Sequence, residues 1–469
     1  MTSALSRLTR LFMMALLLAL SVNKAAYADS EPSALRDTET EALFRDMSQP
    51  LIKAANLDPT SVKVVLLNDP EINAFVATGQ TVYVQSGLLL AADNVNQLQG
   101  VVAHELGHVA GGHSIRIQQG AGQATGITIA TMILGAIAIA AGAGDAGMAA
   151  MMAGQRAALG EFLAFTRAQE SSADAAGASY LSKAGITGKG MLDFFAKLQN
   201  QEYRLAIYSK DSYDQTHPLS SERITALEQK LKTDPAWNKP VDAALDARFQ
   251  RVKAKLQGFV DPKQALLKYP ESDKSIPGHY ARAYAYHLGG YPDKALSEAD
   301  ALLATNPDDP YFLELKGQIF LESGKPGHAI PPLREATKES GDAPLIAAML
   351  GHALVATEKP ANYGEAKQVL KAAVGRDDEN PFAWYQLGII YDHEGDSARA
   401  ALATAERSNL EGDPKQALIS AQMAMQGIAP GSPDYLRAQD IAMVSCVQMK
   451  NDKSGKYDKK KGVITRCNT

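Results

Sequence analysis

Only two cysteines occur in the 469 residues, Cys446 and Cys467. That excludes a disulfide-framework fold and any Cys-rich zinc module, and it leaves no cysteine near the amino terminus to carry a lipid. No dense basic block precedes the last residues. With 47 basic against 52 acidic residues the formal net charge is −5, so nucleic acid is not expected as a partner. Membrane-spanning length is also lacking. Leu11–Val22 has 12 residues and Ile127–Ala141 has 15, both short of the roughly 20 needed to cross a bilayer. What is present is ordinary globular composition, 46% hydrophobic and 21% charged, in a length that suits two or three domains.

Arg7 and Arg10 precede the apolar run, and Ala26-Tyr27-Ala28 supplies small residues at the −3 and −1 positions of a cleavage site. Residues 1–28 therefore read as a secretory signal peptide cut before Asp29. An uncleaved anchor is the alternative, and the run is short for it. Arg7, Arg10 and Lys24 leave with the peptide, so 44 basic residues face 52 acidic ones and the net charge becomes −8. With no organelle signal in view, the expected location is the bacterial periplasm.

Four zones follow. Residues 35–231 open with helical spacing at Leu35, Leu43, Met47 and Leu51, continue with two β-like stretches, Val62–Leu67 and Thr81–Gln85, and enter a long helical pattern near Asn94. Within this zone residues 117–144 contain no charge and are dominated by Gly, Ala, Ile and Met. A helical hairpin buried against its own domain is expected there; a flap touching membrane or substrate is the alternative. Residues 232–275 hold four prolines around one amphipathic helix, Ala243–Leu256, and read as a linker.

Residues 276–430 are repetitive. Small residues recur at Ala295, Ala329, Ala366 and Ala400, separated by 34, 37 and 34. Ala283, Gly317, Gly351 and Gly388 precede them, each followed three residues later by Tyr286, Phe320, Leu354 or Tyr391. Pro310, Pro344 and Pro381 are read as closing the units. This period and layout resemble tetratricopeptide (TPR) repeats, in which small residues let two antiparallel helices approach closely. A pattern at Pro414–Ala417 suggests one further, atypical pair. Residues 431–469 form a tail with a Lys-rich stretch. In an oxidising compartment Cys446 and Cys467 can pair and pin that tail; two free thiols is the alternative.

The chemistry lies at His104-Glu105-Leu106-Gly107-His108. Residues four apart share one face of a helix, so His104 and His108 can offer two imidazoles to one zinc ion, with Glu105 beside them to accept a proton from water. A catalytic zinc needs a third protein ligand and an open position. His113 lies about 140° around the helix from His108 and does not qualify. Glu170 is the favoured carboxylate, because Asp174 one turn later can hydrogen-bond a ligand histidine and fix its tautomer. Glu161 is the competing choice and lacks such a neighbour.

His104-Glu105-x-x-His108 followed by Glu170-x-x-Ala173-Asp174 resembles the zinc metallopeptidases of peptidase family forty-eight. Asn73-Ala74-Phe75 is similar to the family's N-A-F segment, and His217-Pro218-Leu219-Ser220 with Arg223 to its H-P-x-S-x-x-R segment. The signal peptide and repeats match exported members rather than membrane-embedded ones. The resemblance implies a mainly α fold with a small β-sheet: a gluzincin-type zinc peptidase domain followed by an α-solenoid of TPR repeats. It implies one zinc ion per chain on His104, His108 and Glu170, with Glu105 as general base. His217 would sit near the metal, as an oxyanion stabiliser or as a blocking fourth ligand, and Arg223 would support it. Asn73 and Phe75 would lie on an edge strand that holds extended substrate. The implied function is periplasmic proteolysis of misassembled outer-membrane proteins, with the repeats docking clients or the barrel-assembly machinery. The alternative is a chaperone-like interaction protein whose peptidase site is largely self-blocked. Residues 117–144 add a candidate peripheral membrane contact.

Overall fold

The computed structural model describes residues 33–77, 79–140, 144–205, 217, 220–451 and 467. The signal-peptide reading of residues 1–28 and the Lys-rich stretch at Lys456–Lys461 lie outside them.

Four short strands form one sheet: β1 (Ala34–Leu35), β2 (Lys63–Leu67), β3 (Ala74–Val76) and β4 (Thr81–Gln85), in the order β1-β2-β4-β3. β2 and β4 run parallel, and both outer pairs are antiparallel. Leu35, expected in a helical pattern, is a strand residue. Helix α1 (Thr38–Ala54) starts only after Asp37, whose carboxylate caps it by accepting from the Thr40 amide. α1 buries Leu43, Phe44, Met47 and Leu51 against the sheet.

After the short α2 (Ser86–Ala91), Asn94 caps α3 (Val95–Gly111) by accepting from the Gln97 amide. Residues 95–108 of α3 are buried without a break, which makes it the central helix of this half. Its end is set by Gly112 at φ 60°, a left-handed position that glycine takes without strain. α4 (His113–Ala140) and α5 (Gly144–Ala184) then form a long antiparallel pair. The buried helical hairpin expected over 117–144 does not form: residues 117–140 belong to the single helix α4, its partner α5 starts at Gly144, and the pair is not buried, with Ile129, Ile133 and Leu134 53%, 55% and 63% exposed and Met148 and Met152 exposed beside them. No described helix is long and apolar enough to cross a membrane. α6 (Lys189–Leu205) and α7 (Ser221–Lys232) complete this part.

The stretch read as a linker is packed. Its helix α8 (Ala243–Val260) buries Phe249, Val252 and Leu256 in the core that contains α1 and α3, and α9 (Pro262–Lys268) follows it. Five antiparallel helix pairs come next. They are α10 (Ile276–Leu288) with α11 (Pro292–Thr305), α12 (Pro310–Glu322) with α13 (Pro326–Glu339), α14 (Pro344–Val355) with α15 (Pro360–Arg376), α16 (Pro381–His393) with α17 (Ser397–Leu410), and α18 (Pro414–Gly427) with α19 (Pro433–Asn451). Pro310, Pro344 and Pro381 stand in the first turn of α12, α14 and α16. They open units rather than close them, because the amide a proline lacks has no helical partner at that position. α19 lies within the stretch expected as a tail and packs on α18 through Ala438 and Ile441. Cys446 of α19 is disulfide-bonded to Cys467.

Candidate metal centre

Three elements meet at the proposed site. α3 brings His104, Glu105 and His108, all buried. α5 crosses α3 closely: a Cβ on Gly107 would fall 2.7 Å from the Ala173 carbonyl oxygen. That approach delivers Glu170 and Asp174 to the histidines. His217 stands ahead of α7, whose start is fixed by Ser220 accepting from the Arg223 amide at 3.3 Å.

His104, His108, Glu170 and His217 converge, each offering one ligand atom within 4.8 Å of the others. His104 Nε2 is 3.1 Å from His108 Nε2 and 3.4 Å from His217 Nδ1. The Glu170 carboxylate lies 3.2 Å from His217 Nδ1, 3.3 Å from His108 Nε2 and 3.4 Å from His104 Nε2. A tetrahedral ion with bonds of about 2.0–2.1 Å sets its ligand atoms about 3.3–3.4 Å apart, so the donor set fits a single metal ion. Inward-facing imidazole nitrogens at this spacing need a cation or a proton between them.

The surrounding groups aim these ligands. Asp174 Oδ1 meets His104 Nδ1 at 2.9 Å, which turns Nε2 inward. Arg223 donates to both Asp174 oxygens at 2.8 and 2.9 Å and pairs with Glu170 Oε2 at 3.1 Å. Burial alone would lower the His104 imidazole, but hydrogen bonds to Asp174 and Glu170 carry it up to about 10. Burial and the neighbouring His104 push His108 down to about 2. Burial would raise Glu170, yet His104 and His217 hold it well below the usual carboxylate range. Glu105 behaves differently. Burial raises its carboxyl despite His217 and His104, neither of its oxygens has a hydrogen-bond partner among the described residues, and His217 Nε2 stands 3.6 Å away.

The expected residues are thus gathered, with differences of detail. Glu161 is exposed on α5 and outside the cluster. Phe75 lies on β3, the sheet edge that packs against α3, and stacks on Tyr83 at 5.3 Å. Asn73 precedes β3 and is buried, its carbonyl accepting from the Gln85 amide. His113 is not a ligand, yet it is not remote: its Nδ1 meets His108 Nδ1 at 3.0 Å. The break at Gly112 takes it out of helical phase, and the Gly111-Gly112 pair is the sequence signal for that. Phe195 of α6, buried with its ring edge-on to His104 at 5.6 Å, was not foreseen.

A helix-borne His/Glu cluster of this kind, ahead of an array of helical pairs, defines a metal-dependent peptidase carrying TPR-like repeats. Residues 37–231 match peptidase family M48, and this part of the chain is a peptidase family M48 domain. The chain is 26% identical to the beta-barrel assembly-enhancing protease of Yersinia pestis over 87% of its own length and 83% of the relative's. It is 27% identical to the protein of the same name from Escherichia coli (strain K12), over 82% of this chain and 79% of that one. Among solved structures, YrrB, described as a TPR protein with an unusual peptide-binding site, covers 38% of this chain and 92% of its own at 18% identity, with a TM-score of 0.31.

Proposed function

We propose that this protein is a periplasmic zinc endopeptidase that degrades misfolded or stalled outer-membrane proteins, its repeats docking clients or the barrel-assembly machinery. The observation that carries the reading is Glu105: a buried carboxylate with no hydrogen-bond partner among the described residues, beside four converging metal-ligand atoms. His104, His108 and Glu170 hold the ion, oriented by Asp174 and Arg223. Zinc bound there supplies Lewis acidity for the scissile carbonyl and an acidified water. Glu105 takes the proton as the water oxygen attacks the carbonyl carbon. It returns a proton to the nitrogen as the C–N bond breaks. β3, with Asn73 and Phe75, offers the free edge for extended substrate. The relatives' printed names support the substrate class. The exposed apolar face of α4 and α5 supports a peripheral membrane contact.

A second reading rests on His217. Its Nδ1 sits where a fourth ligand would close the coordination shell, and closed four-ligand sites are structural rather than catalytic. The protein would then work chiefly as a chaperone-like interaction module. Cleavage of an unfolded outer-membrane protein by wild type, Glu105→Gln and His217→Ala, with zinc content measured for each, separates the two. Glu105→Gln is expected to keep zinc and lose roughly 10²–10⁴-fold in rate. A faster His217→Ala marks His217 as a gate, whereas a loss of about 10²–10³-fold marks it as an oxyanion donor. No cleavage by wild type or by His217→Ala, with zinc bound, would replace the protease reading with the interaction module.

A further inference from the structure

The junction between the peptidase half and the repeats carries more acid than base. Arg251 of α8 pairs with Glu39 at 2.8 Å and with Asp309 at 2.8 Å. Lys255, one turn later, pairs with Asp37 and lies 3.7 Å from Glu39. Tyr280 of α10 donates to Glu39 at 2.7 Å. These three carboxylates use both cations. A fourth, Glu314 of α12, is 7% exposed, and its Oε2 has no hydrogen-bond partner among the described residues. A carboxyl oxygen buried without a partner is costly to keep in a repeat helix.

Glu314 does not face a sealed core. It lines a groove of about 510 Å³ between the first strand of the peptidase half and the inner face of the repeats. The walls are apolar, formed by Leu35, Phe259, Leu345, Met349 and Phe382. Phe259 and Phe382 stay 40% and 43% exposed. Other charges at the rim are already matched: Arg36 holds Glu41 and Asp377, and Glu322 accepts from His287. His352 at the rim is pushed down by burial.

A divalent metal would need several free oxygens, and Asp37 and Glu39 have none to spare. One unmatched carboxyl at the base of an apolar groove fits a single ammonium or guanidinium on a hydrocarbon stem. Apolar walls on either side fit the residues flanking it. We propose that this groove takes an extended segment of unfolded polypeptide, and that Glu314 receives the side-chain cation of a lysine or arginine set between apolar residues. The inference rests on the reading of the repeats as the docking half and names what they select.

The test uses the full mature chain carrying Glu105→Gln, so that bound peptide is not cut. The probe is a capped, dye-labelled nonapeptide with a central lysine between leucine pairs and Gly/Ser ends, followed by fluorescence anisotropy. Replacing the lysine by norleucine is expected to weaken binding about tenfold or more. Glu314→Gln on the protein should cost the same, and the two changes together should cost no more than either alone. Glu314→Gln replaces the buried carboxyl with a neutral amide of the same shape, so its melting temperature should not fall. Equal affinity for the lysine and norleucine peptides overturns the proposal. So does an unaffected Glu314→Gln, displacement of the peptide by spermidine at matching concentration, or no binding at all. Cleavage by the Glu105 protein is measured in parallel: cleavage without peptide binding removes the groove and keeps the peptidase, and binding without cleavage does the reverse.

Discussion

At the scale of single residues, Glu314 and Glu105 show what burial does to a carboxyl. Burial, with Asp37 and Glu39 nearby, pushes Glu314 up to about 8 from 4.5, and Lys255 offsets only part of this. A carboxyl with that folded value binds its proton more tightly folded than unfolded between about pH 4.5 and pH 8. Its contribution to stability therefore falls as pH rises through that window and is level above it. Glu314→Gln should remove this slope. Its gain in stability over wild type should be small at pH 5 and largest above pH 8, on the order of a few kcal/mol there. A gain independent of pH, measured by thermal melts at four or five pH values, would count against the buried acid. Helical spacing made His104 and His108 legible, four apart on one face, and favoured Glu170 over Glu161 because Asp174 stands four residues on; His217 and Arg223 came only from the family resemblance. Glu314 and Phe195 were not legible. Each occupies an ordinary helical position, and only its neighbours from distant segments give it a role. His113 was set aside as a ligand and is not in the cluster, but its contact with His108 was missed because helical phase was extended past Gly112, where the helix ends.

At the scale of elements, the repeat period was legible because close helix packing demands small side chains at fixed places. The demand is unequal. A Cβ on Gly317 would fall 2.4 Å from Leu333 Cγ, and one on Gly351 would fall 2.4 Å from Leu370 Cγ. Leu333 and Leu370 are fully buried and cannot swing clear. At Gly388 the nearest atom is Ala403 Cβ at 3.4 Å, an ordinary contact. Gly317→Ala is therefore expected to destabilise the repeats by about 1–3 kcal/mol through overpacking. Gly388→Ala should be neutral or stabilising by roughly 0.5–1 kcal/mol, since alanine is the better helix former. Urea unfolding of both variants checks the pair, and equal losses would refute the distinction. The hairpin α4–α5 shows where element-scale reading stops. An uncharged run announces a helix that is apolar all round, but whether anything covers that face is a property of the tertiary structure. Here Ile133 and Leu134 stand in the open.

At the scale of the whole molecule, α8 decides how the two halves behave. The four prolines around it suggested a linker, and the sequence has no local mark for a helix that packs on two sides. One face places Phe249, Val252 and Leu256 in the peptidase core. On the same helix Arg251 and Lys255 hold the charges at the base of the repeats, through Asp309, Glu39 and Asp37. Neither half can release α8 without losing buried surface and leaving charges unmatched. The chain supplies its own reporters for this. Its two tryptophans fall one to each half: Trp237 packs at the edge of the peptidase core, and Trp384 lies inside the repeats. With Trp237→Phe the fluorescence reports the repeats alone, and with Trp384→Phe it reports the peptidase half. Both should melt at the same temperature. Phe249→Ala, which empties a fully buried ring position, should cost about 3–5 kcal/mol and lower both signals together. Two separate midpoints, or a Phe249→Ala shift confined to the Trp237 signal, would mean that the repeats stand independently of the peptidase and that α8 is a tether after all.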